Sequence, residues 1–180
     1  MKNSLLKFIC ISILSFLLSS CSQTRQITIP STIPVDMQQL IKSTKVDAVN
    51  YSFHPNPKAD LCKYQHTYGG LTVKNEININ KALEPLLTEL IQSKFAKTSD
   101  SSQNIIDVKI SNVNSDESNA TLLLVLEATV THKNIKNSKQ LSYSMSFPYN
   151  SSDQPAAIHS FLMKFIIGID KFLDNEFDVQ

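Results

Sequence analysis

The chain has 180 residues, enough for one domain of ordinary size, and sets 17 Lys and Arg against 16 Asp and Glu for a formal net charge of +1. With 42% hydrophobic and 18% charged residues it is neither a disordered polyelectrolyte nor a multi-span membrane protein, and its near-neutral charge removes the electrostatic case for nucleic-acid binding. Only 3 glycines are present, too few for a Gly-rich phosphate loop.

Lys2 and Lys7 precede an apolar run from Phe8 to Leu18 that only Ser12 and Ser15 interrupt. At ~1.5 Å per residue this run covers about half of a ~30 Å hydrocarbon core, too little to span it, and has the anatomy of a secretory signal peptide. Leu18-Ser19-Ser20-Cys21 then sets an aliphatic and two small residues before a Cys, and resembles the bacterial lipobox. The resemblance implies a diacylglycerol on the Cys21 thiol, cleavage that removes residues 1–20, and acylation of the new amino terminus. An ordinary signal peptide with a Cys near its end is the alternative. Each buried CH₂ contributes ~0.8 kcal/mol, so three acyl chains anchor a protein without a spanning helix. Ser22, not Asp, follows the Cys, which by resemblance to enterobacterial sorting rules implies an outer-membrane anchor facing the periplasm.

Cleavage would remove Lys2 and Lys7 from the 17 basic residues, leaving 15 against 16 acidic ones and a net charge of −1. No polybasic patch is then available to assist the lipid. Cys10 departs with the signal and Cys21 is acylated, so Cys62 is the remaining thiol and has no internal disulfide partner.

Residues 21–45 read as the lipidated Cys and a polar tether, with Pro30 and Pro34 and no sustained periodicity; a strand built from Ile27 and Ile29 is the alternative. Residues 46–180 read as one domain. Val49, Tyr51 and Phe53 alternate as a strand that His54-Pro55-Asn56-Pro57 stops, and an irregular loop is expected from there to Gly70. Leu71, Val73, Ile77 and Ile79 alternate again. Asn80 to Phe95 reads as a helix capped by Asn80, with Leu83, Leu86, Leu87, Leu90 and Ile91 along one stripe.

A strand with Ile106, Val108 and Ile110 follows, and then Thr121–Thr131, whose Leu122–Leu126 core is apolar on both faces. That pattern suits a central strand or one that lends a face to a partner, which makes Leu122, Leu124 and Leu126 interface candidates. Leu141, Tyr143, Met145, Phe147 and Tyr149 alternate with Ser142, Ser144 and Ser146 as a half-buried antiparallel strand. Pro155 sits just inside a last helix whose stripe runs Ile158, Phe161, Leu162, Phe165, Ile166, Ile169, Phe172 and Leu173; Gly168 within it is expected to permit close packing. The order ββαβββα predicts an α+β two-layer sandwich, a mostly antiparallel sheet of four or five strands with two amphipathic helices on one face.

Chemistry finds few footholds. His54, Cys62 and His66 fall in one expected loop and offer nitrogen, sulfur and nitrogen to zinc, with Asp60 as a further oxygen, but no paired C-x₂-C accompanies them. They are weak metal candidates, and a Cys62–His nucleophile pair is weaker still. Asp107 and Glu127 sit opposite their strands' apolar sets, as solvated carboxylates do. No nucleophile elbow, zinc-protease, P-loop or EF-hand motif is present, so no catalytic residue and no cofactor is assigned and the chain is read as a non-enzyme.

The segments IDVKISNVN (Ile106–Asn114), LSYSMSFPYN (Leu141–Asn150) and IHSFLMKFIIGIDKFL (Ile158–Leu173), following a lipobox, make the chain resemble the YajG-type small lipoproteins of Gram-negative bacteria. It is similar also to auxiliary lipoproteins of ABC-type lipid-transport systems. Neither resemblance implies an enzyme. The expected function is a lipid-anchored envelope module that binds or assembles with a protein partner in the periplasm. The alternatives are an auxiliary subunit of ABC-type phospholipid transport and a Cys62-dependent enzyme or metal protein.

Overall fold

The last helix has the longest apolar stripe in the chain, and the architecture is organised around where that stripe goes. In the computed structural model, which describes residues 22–57, 61–68, 71–118, 121–133, 136–148 and 154–177, the stripe from Ile158 to Leu173 is buried at every position named above. This helix, α3 (Gln154–Glu176), and the earlier α2 (Ile79–Lys94) enter one hydrophobic core with the inward residues of a five-stranded sheet. The architecture is the expected α+β sandwich. Among the described residues no helix is long and apolar enough to cross a membrane.

The elements run β1 (Ser22–Gln26), α1 (Val35–Gln38), β2 (Ala48–His54), β3 (Leu61–Tyr68), β4 (Leu71–Asn78), α2, β5 (Lys97–Thr98), β6 (Ile105–Ser118), β7 (Thr121–His132), β8 (Asn137–Pro148), α3. The main sheet has the order β5-β2-β6-β7-β8, and β1-β4-β3 form a second, smaller sheet. Strands β6, β7 and β8 make the predicted antiparallel meander. In β7, Leu124, Leu126, Ala128 and Val130 face the helices, while Leu123, Val125, Glu127, Thr129 and Thr131 face the other way. Period-two alternation therefore leaves one whole face of the sheet without a helix over it. A bulge at Ser111 shifts the β6–β7 register between Ile110 and Asn112, and the Asn56 amide donates to the Ser111 carbonyl at 2.7 Å.

Four expectations need correction. First, β2 joins the sheet parallel to both β5 and β6, so the sheet is mixed; the long crossover through α2 supplies the connection that parallel pairing requires. Second, the expected loop before Gly70 contains β3, which pairs antiparallel with β4 from Leu61↔Asn78 to Tyr68↔Leu71. Third, residues 22–33 are no tether: β1 pairs parallel with β4, the Ile27 N–H donates to the Glu76 carbonyl at 2.9 Å, and Ile27, Ile29 and Ile33 are buried in the core. Three isoleucines withdrawn from water contribute enough to dock a segment this short, at about 1.5–3 kcal/mol for each side chain fully buried. Fourth, α2 is capped by the Asn78 carboxamide, which accepts from the Lys81 N–H at 2.7 Å, and Asn80 lies inside the helix, donating to the Asn56 carbonyl at 3.3 Å.

Gly168 acts as expected. A Cβ at this position would overlap the Tyr143 hydroxyl, so the missing side chain is what lets α3 lie directly on β8.

Candidate interaction surface

The helix-free face of the sheet is built by residues whose strand parity turns them away from the core. At one end His54 of β2, Asp107 and Lys109 of β6, and Thr129 and Thr131 of β7 surround a shallow depression of about 550 Å³. The Asp107 carboxylate is the fixed point there: only 14% of its side chain is exposed, it pairs with Lys133, and its Oδ1 lies 3.6 Å from Nε2 of the half-exposed His54. Toward the other end the surface becomes less polar, with Leu123 37% exposed and Val125 half-buried. Along its margin Ser142, Ser144 and Ser146 of β8 stand exposed.

That margin is also the end of the sheet. Among the described residues no strand pairs with the outer edge of β8. The strand runs 12 residues in unbroken register with β7, without a bulge. Natural edges are ordinarily blunted by shortness, charge, proline or bulges. Here Lys139 is the one charged residue within the strand, and the proline, Pro148, comes at its last position. Tyr143 and Met145, which reach under the sheet toward the core, remain half-buried at this edge. An added strand would cover both and satisfy the open row of backbone groups.

The residues singled out from sequence are distributed differently from the expectation. Leu18, Ser19, Ser20 and Cys21, the lipobox and lipidation residues, lie outside the described residues, as does Asp60. Leu124 and Leu126 are fully buried in the core of the chain itself, so neither is available to a partner; Leu122 takes the register position opposite Phe147. The leucine of this strand that does face outward is Leu123. His54 ends β2, whereas Cys62 and His66 belong to β3 and oppose Ile77 and Val73. Four residues along a strand separate two Cα atoms by ~13 Å, whereas zinc holds its ligands at ~2.0–2.3 Å, so Cys62 and His66 do not chelate one ion as neighbours in a compact loop would. Among the described residues no group of three His, Cys, Asp or Glu side chains is placed to hold a metal.

Sequence reasoning missed the buried polar groups. Lys94, in the last turn of α2, has a fully buried side chain; its Nζ donates to Asp170 Oδ1 at 2.7 Å, Asp174 Oδ1 at 2.6 Å and the Lys42 carbonyl at 3.1 Å. The available signal was Asp170 and Asp174 one turn apart on α3, a spacing that places both on one side of the helix. His132 is 1% exposed, stacked at 4.4 Å on Phe177, with Nε2 3.4 Å from Asn104 Oδ1. Burial holds its pKa below the ordinary histidine value, while the Glu176 carboxylate acts in the opposite sense. Burial, with a smaller contribution from Glu84, likewise pushes the Tyr51 phenol above its usual range. These groups hold elements together away from the open face.

No family model matches the chain, and no curated protein matches it. Among solved structures the chain is similar to a crystal structure of an uncharacterized protein, at 9% identity and a TM-score of 0.41, over 88% of this chain and 99% of that one.

Proposed function

We propose that the protein is a lipid-anchored envelope module that works by assembly, recruiting a periplasmic protein partner to the membrane through the β8 edge and the adjoining open face. The observation that carries this reading is the unblunted edge of β8. A strand of this length with a neutral serine rail is the arrangement that strand addition uses, main-chain hydrogen bonds giving affinity and alternate side chains giving specificity. The lipobox at Leu18–Cys21 supports the anchor, and the sorting residue Ser22 supports the outer membrane. Acylation confines the domain to a thin layer, which raises its effective concentration for other membrane-bound proteins.

Two changes test the two halves separately. Cys21→Ser should move the protein from the membrane to the soluble periplasmic fraction and abolish incorporation of labelled palmitate. The double change Ser142→Lys/Ser144→Lys adds two charges at exposed edge positions, where they discourage strand pairing without touching the core. It should leave the anchor and the melting temperature in place while releasing the partner from co-purification. A Cys21→Ser protein that stays on the membrane defeats the anchor, and a lysine pair without effect on any co-purifying protein defeats the edge.

A further inference from the structure

Between β1 and β2 the segment 34–44, which carries α1, crosses the gap between α2 and α3 as a strap. Polar contacts fasten both of its ends to α2. At one end the Glu89 carboxylate accepts from the Ile33 N–H at 2.8 Å and from the Gln38 amide; at the other, Lys94 holds the Lys42 carbonyl and the Thr44 N–H donates to the Lys94 carbonyl at 2.9 Å. Between these fastenings the strap does not fill the space beneath it. A slot of about 270 Å³ remains, walled by Met37 and Ile41 of the strap, Leu90 of α2, and Met163 and Ile166 of α3. Leu40, 75% exposed, and Ile167, 37% exposed, stand at its mouth beside the exposed Lys171.

Size decides what fits. One turn of a helix 10–12 Å across occupies about 500 Å³, so the slot does not admit a partner helix. At ~30 Å³ per heavy atom it holds about nine atoms in a row, the dimension of a single extended alkyl chain. The two methionines on opposite walls are adaptable enough to close on such a chain. Charge decides the head group. Asp170 and Asp174, at the same rim, are both engaged by Lys94, which leaves the Lys171 ammonium to meet an anion.

We propose that this slot binds the alkyl chain of a free fatty acid, with the carboxylate against Lys171 and the strap lying over the chain. The inference stands on the slot and is independent of the assembly reading of β8, which lies elsewhere in the fold.

The test is calorimetric titration of residues 21–180 carrying Cys21→Ser, so that no lipid of the protein's own competes; the hydrophobic core from Ile27 to Phe177 lies wholly within this chain. Saturated fatty acids from hexanoate to tetradecanoate are titrated below their micellar concentrations. Affinity should rise about fourfold per methylene, the factor for burying each CH₂, and flatten beyond about ten carbons as the slot fills. Decyltrimethylammonium, with the same chain and a cationic head, should bind at least about tenfold more weakly than decanoate, and Lys171→Glu should weaken decanoate by a similar factor.

Met37→Trp fills the slot from the strap side and should abolish saturable binding; if it does not fold, Lys171→Glu, at an exposed position, carries the test. The proposal is overturned if no fatty acid binds saturably, if neither variant alters decanoate binding, or if affinity climbs unbroken to tetradecanoate, as adsorption on an open surface would. A dimer in the absence of fatty acid that Leu40→Ser dissolves would give the mouth to a second copy and also overturn it.

Discussion

Replacing Lys94 by Met keeps the length and apolar stem of the side chain and removes only the ammonium. The Lys94 side chain has no exposed surface, and its Nζ is the shared donor to Asp170, Asp174 and the Lys42 carbonyl. Lys94→Met therefore strands two carboxylates one turn apart on α3, facing a thioether and each other. Removing one partner of a fully buried ion pair costs about 3–5 kcal/mol. Asp170 and Asp174 keep 16% and 29% of their side chains exposed and recover part of their hydration, which brings the expectation to the lower end, about 3 kcal/mol. For a chain of this size that is a fall of roughly 6–12 °C in melting temperature.

The assay is urea denaturation of wild type and variant, reading a shifted midpoint at constant slope. The triple variant Lys94→Met/Asp170→Asn/Asp174→Asn removes the stranded charges and should recover at least about half of the loss, since replacing a whole buried ion cluster is far less costly than breaking it. A loss below about 1 kcal/mol, or a triple variant no better than the single one, would refute the reasoning: the former lies within the range of an exposed ion pair.

Further outcomes follow from other contacts. Gly168→Ala should destabilise by about 1 kcal/mol despite the helix propensity gained, because its Cβ meets the Tyr143 ring and hydroxyl; in a Tyr143→Phe background the same change should be neutral or stabilising, which a double-mutant cycle in urea would show. His132 has its folded-state pKa lowered by burial, so the unfolded chain binds the proton more readily and stability falls as pH drops through about 6.5 and below. Midpoints measured between about pH 7.5 and 5.5 should decline more steeply for wild type than for His132→Asn; parallel declines would remove His132 from the account.

Legibility followed periodicity. The α3 stripe and the serine-alternating β8 were readable because one residue in two, or three to four, repeats without a break, and the same regularity put α2 and the meander in place. The Leu61–Tyr68 strand was unreadable because polar and aromatic residues are mixed on both parities and Pro55 and Pro57 announce a loop just before it. Its strand state comes from pairing with β4 and not from its own pattern. Ile27, Ile29 and Ile33 looked like isolated apolar residues in a polar tether, since burial is conferred by elements far along the chain. The parallel placement of β2 is likewise non-local.

The open surface was half legible. Exposed serines on β8 could be read from alternation, but that β8 ends the sheet is a fact of strand order, which no local window contains. The leucine run of β7 misled in detail: its even-numbered members Leu124 and Leu126 are core, and the outward position belongs to Leu123. Lys94 at a helix C-terminus looked like an ordinary surface cation near the dipole. Nothing in sequence announces that α3 delivers two carboxylates to it.

The most direct test of an anchored module that assembles through β8 is in-cell photocrosslinking of the full chain in its native membrane. A photoreactive residue replaces Ser144, on the open edge, or Ser160, exposed on α3. The account predicts a discrete crosslinked envelope protein from position 144 and none from 160, with the product lost when Cys21→Ser releases the chain from the membrane. Equal crosslinking from both positions, or none from 144 with the protein anchored and folded, would contradict it.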